Sequence, residues 1–270
     1  MKIIFSLFKI LAIELPSLRI SPLLAFVLVG TGTFLVDVMY IQSIGSGLTS
    51  FGDLFIFSLV PIKPKRLTNL EKSQFTLSDE LKQILVGLML GDLCAQNRSS
   101  NGNVRLLFKQ GIVHKDYIMH LYEIFSGYCS SVPKFTNAAP DKRTGVVYTG
   151  IFFNTYSLPC FNELYNLFYP EGKKIIPNII GDLLTPLSLS YWICDDGGWA
   201  GNSTRLHTNS FTLEEVNLLA QVLSDKFDLK VGIHKNGSGS IIRVSTKSMP
   251  VLQELLKDKI PSMMRHKIGL

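Results

Sequence analysis

Two carboxylates stand at matching places in two apolar segments, and they are the residues best suited to chemistry. Residues 85–93 carry Asp92, and residues 189–197 carry Asp196. Both segments have the apolar content of a buried helix, so each helix is predicted to end on its acid. A carboxylate at a helix C-terminus meets the negative end of the helix dipole, which costs about 0.3–1 kcal/mol. A sequence that does this twice is predicted to use both carboxylates.

Two glycines indicate how the acids could be brought together. Gly87 and Gly91 are four residues apart, so they lie on one face of the first helix and allow a second backbone to approach closely. Asp92 and Asp196 would then meet at the end of the helix pair. Two close carboxylates repel each other unless a cation lies between them, and all-oxygen ligation suits Mg²⁺. Such a site is suited to phosphodiester hydrolysis.

The second segment departs from the first at two positions. Asp195 precedes Asp196, but the register of the two segments places Asp196 opposite Asp92, so Asp196 is predicted to be the metal ligand. Tyr191 stands where the first segment has Gly87, so its contact in the helix pair must differ. Tyr191 and Trp192 are predicted to belong to the core.

The remaining metal-binding residue types show no ligand spacing. None of the cysteines forms a Cys-x-x-Cys pair, so a structural zinc site is not predicted, and they are expected to be reduced and mostly buried. The histidines are expected to lie at the surface or in polar contacts. These residues are Cys94, Cys129, Cys160, Cys194, His114, His120, His207, His234 and His266.

The elements around the acids alternate between helical and extended patterns, which predicts an α+β fold. A possible capping box, Thr76 to Asp79, opens the first helix, Thr212 is the predicted N-cap of a later helix, and Asn236-Gly237 predicts a hairpin. The order of elements repeats, which indicates an internal duplication. The predicted helices continue at 113–125, 186–195, 211–227 and 251–257, and the predicted strands are 103–109, 146–153, 205–210, 230–234 and 240–246.

Residues 85–93 and 189–197 each resemble the LAGLIDADG motif. The chain as a whole resembles the single-chain, two-motif LAGLIDADG homing endonucleases encoded in mitochondrial introns, over residues 75–268. One degenerate motif alone would support the resemblance only weakly, but further stretches of the chain are similar to the family and occur in the same order. They are residues 173–177, 184–196, 208–216 and 260–263.

This resemblance implies a pseudo-symmetric, duplicated αββαββα fold with two central packed helices and two saddle-shaped antiparallel sheets on DNA. It implies a monomer that makes Mg²⁺-dependent double-strand breaks across the minor groove of a long asymmetric site, promoting intron mobility. Asp92 and Asp196 match the catalytic, metal-binding acids. Lys174, in a Lys-Lys-x-Ile-Pro motif, matches one catalytic lysine. Lys267 matches the other, although its spacing from Pro261 is longer by a residue.

Polar side chains alternate with apolar ones along three of the predicted strands. Antiparallel strands with one polar face fit the major groove, where Arg and Asn can bind base edges, and neutralised phosphates make binding salt-dependent. In the first half the alternation is interrupted by Leu107. The predicted DNA-binding residues are Arg105, Lys109, Arg205, His207, Asn209, Arg243 and Lys247.

Composition divides the chain into an N-terminal extension and two halves. The 270 residues carry a formal charge of +6, which favours an acidic partner. Residues 1–66 form an apolar extension and basic linker, residues 67–180 the first half and residues 181–270 the second. The N-terminal extension has three interpretations: a translated host exon, a membrane anchor involving residues 21–60, or a segment that is disordered or removed. The exon interpretation, which is favoured, implies an organelle-encoded gene, in the mitochondrion or alternatively the chloroplast.

Two other functions stay open. An intron RNA maturase with the same fold would bind RNA and assist splicing, and it need not keep both acids, so Asp92 and Asp196 together favour the nuclease. A membrane-associated structural protein would explain residues 21–60 but neither of the two motifs.

Overall fold

The computed structural model describes residues 66–98 and 102–270, which belong to one compact unit. The apolar extension, with its three interpretations, lies outside the described residues. Within the two described ranges, no helix is long and apolar enough to cross a membrane.

Both halves contain helices and an antiparallel sheet in the same order. The first half contains α1 (Asn69–Ser73), α2 (Asp79–Leu90), β1 (Cys94–Gln96), β2 (Arg105–Gly111), α3 (Lys115–Phe125), β3 (Lys134–Asn137), β4 (Thr149–Asn154) and α4 (Asn162–Phe168). The second contains α5 (Ile180–Leu183), α6 (Pro186–Asp196), β5 (Gly197–Trp199), β6 (Thr204–Leu206), α7 (Leu213–Phe227), β7 (Val231–Asn236), β8 (Gly239–Val244) and α8 (Met249–Leu256). A 3₁₀ helix, Ser262–Ile268, follows.

The two sheets have the same topology, which confirms the predicted duplication. Their strand orders are β1-β2-β4-β3 and β5-β6-β8-β7, and all the pairings are antiparallel. Gly237 lies at the β7–β8 turn with φ 61°, as the Asn-Gly pair predicted. The inner faces of both sheets are apolar, with Leu106 and Phe108 in one and Leu206 and Ile242 in the other.

Helix starts follow local capping chemistry, with one correction. The N-cap of α2 is Ser78, whose hydroxyl accepts from the Leu81 amide at 3.2 Å, so the Thr76 capping box was wrong. The carbonyl of Thr76 instead accepts from the Tyr128 hydroxyl at 2.7 Å. Thr212 caps α7 as predicted.

The helices α2 and α6 pack against each other at the centre of the fold. A Cβ built at Gly87 would overlap the carbonyl oxygen of Ser188, so the α6 backbone uses the space that the missing side chain leaves. Tyr191 and Trp192 are buried, as predicted. The Tyr191 hydroxyl lies 3.0 Å from His120 Nε2 on α3, which is how its contact differs from that of Gly87.

Short elements and strand ends depart from the sequence prediction. The strands β1, β3 and β5 were missed because three or four residues cannot establish an alternating pattern. The predicted strand 205–210 ends at Leu206, and β8 ends at Val244. The four cysteines are free, but only Cys194 is fully buried, so the expectation that most are buried was wrong.

Candidate active site and nucleic-acid interface

The two acids lie at the same end of the central helix pair, but their backbones are held differently. Asp196 is the last residue of α6, whereas α2 ends at Leu90 and Asp92 follows its C-cap, Gly91. The Gly91 amide donates to the Gly87 carbonyl at 3.2 Å, which closes the helix before Asp92. Asp92 is exposed and Asp196 is half-buried. The position of Asp92 therefore depends on more than its own helix.

The electrostatics of the site show that the carboxylates interact. Burial, together with the negative charge of Asp92, raises the pKa of Asp196 to about 7, although Lys174 and Lys267 oppose the shift. Burial lowers the pKa of both lysines, against the attraction of the carboxylates. A cation at this site would favour the charged form of Asp196, which burial and the neighbouring acid disfavour.

Each predicted catalytic lysine contacts the end of one motif helix. Lys174 Nζ donates to the Gly91 carbonyl at 2.6 Å. Lys267 Nζ donates to the Asp195 carbonyl at 3.1 Å and also to the Cys194 carbonyl. Gly91 and Asp195 occupy matching positions in the two segments, so the two lysines are equivalent. The cationic side chains also offset the negative ends of both helix dipoles.

Asp195 is a site residue whose contacts the sequence did not reveal. Its Oδ2 accepts from the Asp92 amide at 3.0 Å, and its Oδ1 accepts from the Tyr117 hydroxyl at 2.9 Å. Burial, followed by the charge of Asp92, raises its pKa to about 8. One feature of the sequence was consistent with this role: when the two segments are aligned, Asp195 stands at the position of Gly91, which has no side chain.

Gln110 is a second residue that sequence reasoning missed. Its Nε2 donates to Asp92 Oδ2 at 3.1 Å, from the end of β2. It follows Lys109, and alternation along the strand directs the two side chains to opposite faces. The alternation along β2 could therefore have identified Gln110, since a residue that follows an outward lysine points to the inner face of the sheet.

The two acids are the side chains that could hold a divalent cation at this site. Among residues 66–98 and 102–270, no group of three or more His, Cys, Asp or Glu side chains could hold a metal ion. Two carboxylates nevertheless suit Mg²⁺, which is usually bound by one or two carboxylates with water and substrate phosphates completing its shell. Asp92 and Asp196 fit that requirement because the two carboxylates follow the same ends of the packed helices, and the raised pKa of Asp196 agrees with it.

The first sheet presents its predicted basic residues on the face that is not packed on the core. Arg105 is half-buried and Lys109 exposed, while the intervening Leu106 and Phe108 are buried. The Arg105 guanidinium donates to Gln96 Oε1 at 3.0 and 2.6 Å, which fixes its direction.

The second sheet carries two arginines side by side. Arg205 pairs with Arg243 across β6 and β8. Exposure continues to alternate beyond β6, with His207 and Asn209 exposed and Thr208 buried. Lys247 lies outside the sheet in a 3₁₀ turn, Thr246–Ser248, so the strand pattern used to predict it does not hold there.

Comparisons with known proteins agree with this architecture. The model of the LAGLIDADG DNA endonuclease family matches residues 82–252. The cytochrome b mRNA maturase bI2 of Debaryomyces hansenii is 35% identical over 198 residues, covering 72% of this chain and 75% of that protein. The probable intron-encoded endonuclease 1 of Wickerhamomyces canadensis is 30% identical over 212 residues, covering 76% and 90%.

A solved structure extends the comparison to three dimensions. The homing endonuclease I-WcaI, bound to its DNA recognition sequence, is 30% identical with a TM-score of 0.67 and covers 72% of this chain and 88% of that one. The predicted fold class and enzyme class, a DNA endonuclease, agree with these findings. The chain therefore belongs to the LAGLIDADG DNA endonuclease family, as the two motifs predicted.

Proposed function

We propose that this protein is a site-specific homing endonuclease that makes Mg²⁺-dependent double-strand breaks in DNA at a long asymmetric target, promoting intron mobility. One observation carries the proposal: an aspartate and a lysine are repeated at the ends of two packed helices, and each half has a sheet with basic side chains on its outward face. A duplex has two strands to cut, and this arrangement supplies one acid and one lysine from each half.

The reaction would be attack of water on a DNA phosphate, with loss of the 3′ oxygen as the leaving group. When bound between Asp92 and Asp196, Mg²⁺ would supply Lewis acidity to that reaction. Lys174 and Lys267 are held at helix ends by backbone carbonyls, where their ammonium groups can polarise the attacking water or neutralise charge in the transition state.

Substrate binding is assigned to the outward faces of the two sheets. Arg205 and Arg243 in the second sheet, with Arg105 and Lys109 in the first, offer donors for guanine edges and phosphates. The solved relative is bound to its DNA recognition sequence, which supports double-stranded DNA as the substrate. Because one chain contains both halves, the protein is proposed to act as a monomer.

An intron RNA maturase is the second candidate. The D. hansenii relative is named as a cytochrome b mRNA maturase, which favours RNA as an additional partner. This chain keeps both acids, and so a maturase role would accompany cleavage rather than replace it. The names of these relatives, as a maturase and an intron-encoded endonuclease, support an organellar location, and we place the protein in the mitochondrion.

Cleavage by the full chain tests the proposal. The protein is incubated with a plasmid that carries the intron-less junction of its host gene, with Mg²⁺ or with EDTA, beside an Asp196→Asn variant. We expect linear plasmid with one defined pair of ends in Mg²⁺ alone, and no linear product from the variant.

Two results would contradict the endonuclease. One is a plasmid that stays intact while the protein binds intron RNA with nanomolar affinity, which would favour the maturase. The other is equal cleavage by the Asp196→Asn variant, which would show that the nuclease activity arises elsewhere.

A further inference from the structure

The amide of Asp92 is held across the boundary between the halves, not by its own helix. The amides on either side of it bind α2 carbonyls: Gly91 donates to Gly87 at 3.2 Å, and Leu93 donates to Leu88 at 3.1 Å. The Asp92 amide instead donates to Asp195 Oδ2 at 3.0 Å. One side chain of the second half therefore fixes the backbone of the acid in the first half.

Asp195 is itself held by Tyr117, a buried residue of α3. The Tyr117 side chain is 1% exposed, and its hydroxyl donates to Asp195 Oδ1 at 2.9 Å. Both carboxylate oxygens are thus occupied by donors from the first half. A tyrosine hydroxyl in the core needs a partner, and this contact provides it while fixing the direction of the carboxylate.

Gly91 makes room for this contact. A Cβ built at Gly91 would lie 2.7 Å from Asp195 Oδ2, so any side chain there would displace the carboxylate. The matching position in the second half is Asp195 itself, and so the arrangement cannot be repeated by symmetry. The backbone of Asp196 has less need of such a contact, because the helix continues through that residue.

We propose that Tyr117 and Asp195 are positioning residues that hold Asp92 in place for cation binding, a role that rests on the proposed endonuclease function. A partly buried carboxylate beside two other acids is unfavourable unless its hydrogen bonds are satisfied. The Tyr117 hydroxyl and the Asp92 amide satisfy the two oxygens of Asp195. Through the amide contact, Asp195 fixes Asp92, the proposed catalytic acid that lies beyond the end of its helix. Asp195 is thus a structural support for Asp92, not a third ligand of the cation.

Amide hydrogen exchange in the ¹⁵N-labelled, metal-free full chain tests the contact without any need for cleavage. In the Asp195→Ala variant, the Asp92 amide should exchange about tenfold faster or more, while the Gly91 and Leu93 amides keep their rates. Asp195→Asn retains an acceptor oxygen and should restore slow exchange. Tyr117→Phe should give an intermediate rate, and it serves as the second variant if Asp195→Ala does not fold.

Cleavage then tests the consequence. The half-saturating Mg²⁺ concentration should rise about tenfold in Asp195→Ala and less in Tyr117→Phe, because a displaced ligand binds the cation more weakly. Tyr128→Phe is the matched control, since it loses a tyrosine hydrogen bond of 2.7 Å to Thr76 and should leave both measurements unchanged.

Two outcomes would overturn the inference. Unchanged Asp92 exchange in Asp195→Ala would show that the contact does not hold the backbone, and equal acceleration of all three amides would indicate general opening of the helix end. A wild-type protein that cuts no DNA would overturn the proposed function instead, and the exchange rates would still decide whether Asp195 holds Asp92.

Discussion

The two halves present the same chemistry through different packing. In the first half, Gly87 and Gly91 remove side chains from the helix contact, and Asp92 lies exposed beyond the helix end. In the second half, Tyr191 turns towards His120 and Asp195 reaches across to the first acid. The acids and the lysine contacts are matched, whereas the residues that position them are not. Duplication has thus preserved the proposed reacting groups more closely than the residues that position them.

The lysines give the sharpest test of whether the halves are functionally equivalent. Lys174→Met and Lys267→Met should each slow cleavage about 10²–10³-fold, because each removes a cation that is proposed to neutralise charge in the transition state. Since the two lysines lie in different halves, the variants should slow opposite strands. Single-turnover cleavage of a target labelled separately on each strand measures this. If both variants slow the same strand, the halves do not divide the two strands.

The glycine contact should be intolerant of any side chain. Gly87→Ala should lower the free energy of unfolding by about 2–3 kcal/mol, because the new methyl group would overlap the α6 backbone at Ser188. Gly127→Ala is the control, since a Cβ there would meet no atom within 4 Å. Urea unfolding of both variants checks the difference, and equal stabilities would mean that the helices pack less closely than described.

The proposed DNA-binding faces should differ in how much each arginine contributes to binding of the target. Arg105 already donates twice to Gln96, while Arg205 is exposed beside Arg243. We expect Arg205→Ala to weaken binding of the target by about tenfold, a loss typical of one base or phosphate contact, and Arg105→Ala by less. Fluorescence anisotropy at two salt concentrations measures both. A larger loss for Arg105→Ala would reverse this ranking of the halves.

Acidity should affect the metal-free protein in a defined direction. The pKa of Asp196 is raised to about 7 and that of Asp195 to about 8, so the folded state holds protons that the unfolded state releases. Their contribution to stability is complete below the unfolded carboxyl pKa of about 4 and is lost as the pH rises to about 8.

Thermal unfolding in EDTA at pH 5.5 and pH 8 measures this effect. We expect a lower Tm at pH 8, by at least about 2 °C, which corresponds to a loss of about 0.5 kcal/mol or more for a domain of this size. Asp195→Asn should reduce the difference, and Mg²⁺ should raise the Tm at pH 8. A Tm that is higher at pH 8 in EDTA would contradict the repulsion between the acids.

Features that occur in both halves were predictable from the sequence, whereas contacts that occur only once were not. The motif helices, the duplicated order of elements and the packing of Gly87 followed from periodicity and spacing, because each depends on residues close together in the chain. The contact of Asp195 with Asp92 joins the two halves, and only the packing of α2 on α6 reveals it. The strand placement of Lys247 was wrong because alternation was extended past Val244 into a turn, while its contact with DNA stays a prediction.

The joint role of the two acids is tested by linearisation of a target plasmid by the wild-type protein and by the Asp92→Asn and Asp196→Asn variants in Mg²⁺. Each substitution removes one charge from a pair that lies between the halves, while keeping the size of the side chain. We expect each variant alone to lower the rate of linearisation at least about 10²-fold, with binding of the target retained. Linearisation at the wild-type rate by either variant would contradict the claim that both helix ends together form the active site.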